Sequence, residues 1–163
     1  MQCIDEPTVD AVWEQINELA PEEAYQQMME FGTQQTELLS FVTVACEGLS
    51  DDAQELATFM AFVVYRIFYT TYSESFPDIS PEQIMERFDR NQSMLSELEN
   101  RSDEEFEEVA ELESSHQPFV LQSITEVLFD SDEEDEIQIT DDESGIIFIV
   151  MKTLVDVLDA VTD

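Results

Sequence analysis

Residues 50–72 read SDDAQELATFMAFVVYRIFYTTY, and this stretch decides the fold. Ser50, Asp51 and Asp52 suit a helix start, because a short side-chain oxygen accepts from backbone N–H groups that have no partner in the first turn. No Gly or Pro interrupts the residues after them, and from Phe59 to Tyr69 apolar side chains fall on nearly every side of a helix. A helix that is apolar all round must be enclosed by others, so the pattern predicts the central helix of an all-α fold. Val63, Val64, Tyr65, Ile67 and Phe68 would also suit a strand, but neither alternation nor a hairpin turn accompanies them. The run from Leu56 to Tyr69 is too short for a membrane span, which needs about 18 or more apolar residues, and it carries Arg66.

The same signals recur on both sides. Upstream, Thr8 is expected to cap a first helix with Val9, Val12, Trp13, Ile16 and Leu19 on one face. Pro21 suits the first position of a second helix, with Glu22 and Glu23 favouring its N-terminal dipole, and Gly32 is expected to break or cap it. Leu38, Phe41, Val42 and Ala45 mark a third. Downstream, Ser80-Pro81-Glu82-Gln83 combines a Ser cap, a first-position Pro and a capping-box Gln, opening a helix with Ile84, Phe88, Leu95 and Leu98 inward. Residues 103–113 form an amphipathic pattern around Phe106, Val109 and Ala110, and Gln117-Pro118 starts a segment carrying Phe119, Val120, Ile124, Val127 and Leu128. A last helix, from about Ser144 to Val161, uses Ile147, Val150, Met151, Leu154, Leu158 and Val161. Seven or eight helices with short connections give a single-domain, compact multi-helix bundle over residues 1–163, with residues 130–143 as an acidic loop. A HEAT-like stack of helical hairpins is the alternative, although no fixed-period repeat supports it.

Charge narrows the function. The 163 residues carry 40 Asp and Glu against 5 Lys and Arg, for a formal net charge of −35. Such a surface repels phosphate, which excludes direct nucleic-acid binding through a basic patch and docking on anionic lipid. Hydrophobic residues make up 43% of the chain, too many for a chain kept unfolded by its charge. The N-terminus lacks the basic and apolar regions of a signal peptide, and Cys3 with Cys46 make no disulfide framework, so a reducing, cytoplasmic setting is expected.

The acids cluster. Residues 97–113 hold nine, among them Glu104, Glu107, Glu108 and Glu111 on one expected helix face, and residues 130–143 hold nine more, including Asp132, Glu133, Glu134, Asp135 and Glu136. These two segments are the candidate partner-binding residues, and the expected function is non-catalytic: docking of a basic protein partner, steered by charge. The alternatives are a helical bundle that binds a divalent metal or small molecule, a nucleic-acid-mimicking inhibitor, and a structural subunit, with a homo-oligomer open. Weak, non-specific Ca²⁺ or Mg²⁺ binding suits the run at 130–135, but Asp135 stands where a calcium loop needs Gly, so no metal site and no cofactor are expected. Glu113-Ser-Ser-His116 has di-iron spacing, yet His116 is the only His in the chain. Neither cysteine has the surroundings of a nucleophile, and no Gly-rich phosphate loop, nucleophile elbow or HExxH motif is present, so no catalytic residue is assigned. Arg66, the only charge between Glu55 and Glu74, is expected to reach a carboxylate on another helix.

Overall fold

A computed structural model of the chain describes residues 4–72, 79–98, 117–129 and 140–161. Among the described residues there are seven α-helices and no strand: α1 (Glu6–Glu18), α2 (Pro21–Gln34), α3 (Thr36–Ala45), α4 (Asp51–Tyr72), α5 (Pro81–Leu98), α6 (Pro118–Phe129) and α7 (Asp141–Val161). The expected helix over 103–113 lies outside them.

Helix starts follow their capping chemistry. Ser50 Oγ accepts from Ala53 N at 3.2 Å at the head of α4. At α5, Gln83 N donates to Ser80 Oγ at 3.2 Å and Ser80 N to Gln83 Oε1 at 3.1 Å, which closes the expected capping box. Two boundaries move. The cap of α1 is Asp5, whose Oδ1 accepts from Thr8 N at 3.0 Å, because Pro7 fits the first turn and so places the start before Thr8. Gly32 does not end α2, which continues to Gln34. A Cβ at Gly32 would stand 2.8 Å from Leu39 Cδ2, so this glycine serves the close approach of α3.

Buried apolar residues from all seven helices form one core cluster. α4 is central as its sequence requires, packing on α1, α2, α3, α6 and α7. α7 is equally enclosed: it packs on α3, α4, α5 and α6, and residues 149–155 and 157–159 are all buried. Contacts between helices distant in sequence, such as α1 with α6 and α3 with α7, do not fit a solenoid, in which each repeat touches only its neighbours. Aromatic pairs pin the outer helices to the core. Phe31, the buried residue of α2, lies 6.4 Å from Phe62 and 5.0 Å from Tyr65, Trp13 meets Phe59 at 6.2 Å, and Phe41 meets Phe88 edge-on at 5.0 Å.

Candidate functional site

The seam between α5 and α7 holds Asn91, Lys152 and Thr153, three of the six buried polar residues among those described. Arg87 and Asn91 stand one turn apart on α5, and Lys152 and Asp156 one turn apart on α7, so two i, i+4 pairs face each other. Lys152 is 1% exposed. Its Nζ donates to Asp156 Oδ2 at 2.8 Å and to Asn91 Oδ1 at 3.1 Å. The same Asp156 oxygen accepts from Arg87 Nε at 2.9 Å and from Asn91 Nδ2 at 3.2 Å, and Asn91 Nδ2 also donates to Thr153 Oγ1 at 3.0 Å. An ammonium taken out of water costs several kcal/mol unless it is paired and hydrogen-bonded, and this network supplies both conditions.

Outside the network the seam opens into a cleft of about 220 Å³. One face of α5 supplies Gln83, Glu86, Arg87 and Arg90, at helical spacing. α7 supplies the Asp156 carboxyl and an apolar floor of Val157 and Ala160. The bond from Arg87 Nε to Asp156 fixes one guanidinium; among the described residues, neither the Nη groups of Arg87 nor any nitrogen of Arg90 donates a hydrogen bond. The cleft walls therefore offer uncommitted N–H donors beside carboxylate acceptors, around an apolar surface.

The charges elsewhere are sorted. Residues 1–65 contain thirteen Asp and Glu and no Lys, Arg or His. All thirteen acids are exposed. On α1 they form a stripe, Glu6, Asp10, Glu14 and Glu18, at strict i, i+4 spacing over about 18 Å. Three of the five cations, Arg87, Arg90 and Lys152, gather instead on the α5–α7 seam.

Of the residues expected to bind a partner, Glu104, Glu107, Glu108 and Glu111 lie outside the described residues, as do Asp132, Glu133, Glu134, Asp135 and Glu136, Glu113 and His116. The end of the expected acidic loop is helical: α7 begins at Asp141, because Thr140 and Glu143 close a capping box, with Glu143 N donating to Thr140 Oγ1 at 3.1 Å. Glu143 Oε2 also accepts from Ser50 N at 2.8 Å and so ties the start of α7 to the start of α4. These backbone donors hold the Glu143 carboxyl down to about 2. Arg66 takes a different partner from the expected carboxylate: among the described residues it lies over the Tyr69 ring, 5.5 Å from the centroid. Burial pushes the Cys46 thiol up to about 11, which keeps it protonated and inert as a nucleophile near neutral pH.

Among the described residues no group of His, Cys, Asp and Glu could hold a metal ion, and no helix is long and apolar enough to cross a membrane. Sequence reasoning missed Lys152, Asn91 and Asp156. A signal for Lys152 was present, since it is the only charge between Glu143 and Asp156, the same isolation that singled out Arg66. No family model matches the chain, and neither a curated protein nor a solved structure does.

Proposed function

We propose that the protein is a non-catalytic docking module whose acidic surface receives a basic protein partner. The observation that carries this reading is a cation-free run: thirteen exposed acids in residues 1–65 with no cation among them, four of them in the stripe on α1. Interspersed charges of both signs would lower self-repulsion. Here three like-charge pairs on α1 alone cost a few tenths of a kcal/mol each, a cost that a steering field for a basic partner explains. The acids at Glu104, Glu107, Glu108, Glu111 and Asp132 to Glu136 enlarge that field.

The test is a charge alternation. In the variant Asp10→Lys/Glu18→Lys the stripe reads acid, base, acid, base, so each repulsive i, i+4 pair becomes an attractive one and stability rises by about 1–2 kcal/mol. Basic host proteins captured on the immobilised wild-type chain at about 0.1 M salt should be lost at about 1 M, where the screening length falls from about 10 Å to about 3 Å. The more stable variant should retain less of them. Capture indifferent both to salt and to the substitutions would sink the reading. Charge reversal at Glu107, Glu108 and Glu111 together measures the share carried by that segment.

A further inference from the structure

The α5–α7 cleft sets two guanidinia, Arg87 and Arg90, beside two carboxylates, Glu86 and Asp156. Beyond the Arg87 Nε bond to Asp156, the Arg87 Nη groups and Arg90 make no hydrogen bond among the described residues, and both side chains line a cleft of about 220 Å³. That volume is below the range of about 300–1,000 Å³ typical of drug-sized sites and so suits a small ligand.

The lining selects the ligand's charge. A guanidinium presents two parallel N–H donors along one edge, which suit a carboxylate. A dianion would also face Glu86 and Asp156, and the −35 field lowers the local concentration of any net anion. A cation would face Arg87 and Arg90. A species carrying both charges meets neither obstacle, and the floor of Val157 and Ala160 gives an apolar group a surface to cover. We infer that the cleft between α5 and α7 binds a small zwitterion, an α-amino acid with an apolar side chain: carboxylate on Arg87 and Arg90, ammonium on Glu86, side chain on Val157 and Ala160. This is independent of partner docking, because it uses none of the acids of α1.

Calorimetric titration of the full chain with L-valine tests it, with isobutyrate as the analogue lacking the ammonium and isobutylamine as the one lacking the carboxylate. Saturable binding of L-valine with a Kd of about 1 mM or tighter is expected, with each analogue at least about tenfold weaker. Arg90→Ala should weaken L-valine binding by about tenfold while leaving the melting temperature unchanged, because Arg90 is exposed and stands outside the Lys152 network. Absence of saturable heat up to about 10 mM L-valine, equal binding of isobutyrate, or binding unaltered in Arg90→Ala would each overturn the assignment.

Discussion

Lys152 shows what a single residue can demand of a fold. An ammonium in the middle of an apolar helix is tolerable only when its charge is answered, and Asp156 one turn on answers it at 2.8 Å. The two changes that break this pair should differ in cost. Asp156→Ala strands the buried ammonium and frees Arg87, so urea denaturation should show a loss of about 3–5 kcal/mol. Lys152→Met keeps the volume and leaves Asp156 with Arg87 and Asn91, so its cost should be less than half as large. Equal costs would mean that the ion pair does not govern the seam. The i, i+4 pairing of Lys152 with Asp156 could be read from sequence; Asn91, 61 residues from Lys152, could not, because nothing local ties an α5 side chain to α7.

At the scale of the element, helix starts were the most legible feature. Ser50 and Ser80-Gln83 act within a single turn, so their local sequence suffices. Thr140-Asp-Asp-Glu143 carries the same signature, but at the end of an acidic run its charge reads as loop and hides the cap. Its consequence reaches beyond α7, since Glu143 also accepts from Ser50 N. The Glu143 carboxyl is held at about 2, below its ordinary 4.5, first by the backbone bond from Ser50 and then by that from Thr140. A lowered folded-state value means that the tie stabilises fully above pH 4.5 and is lost as pH falls towards about 2. The stability difference between wild type and Glu143→Gln should therefore shrink across that window. Unfolding midpoints of the two chains, compared pH by pH, remove the contribution of the other carboxylates. A difference that stays constant with pH would rule out a charged cap.

For the whole molecule the governing quantity is self-repulsion. A charge of −35 destabilises any compact state, and salt relieves it by shortening the screening length from about 30 Å at 0.01 M to about 3 Å at 1 M. The melting temperature should rise steadily over that range. Asp10→Lys/Glu18→Lys, with less repulsion to screen, should rise less steeply. A flat profile for the wild type would show that the exposed acids are already accommodated by their spacing.

The sequence by itself determined the helical class, the starts of α4 and α5, and the central place of α4, because caps and apolar periodicity act between residues at most about four positions apart. It also determined the total charge. Only the tertiary structure decided that α7 is enclosed as fully as α4, that Lys152 is answered from α5, and that Arg87, Arg90 and Lys152 gather in one seam. Those outcomes depend on which helix faces meet across 60 or more residues of chain, and no spacing within one helix encodes the face its neighbour will present.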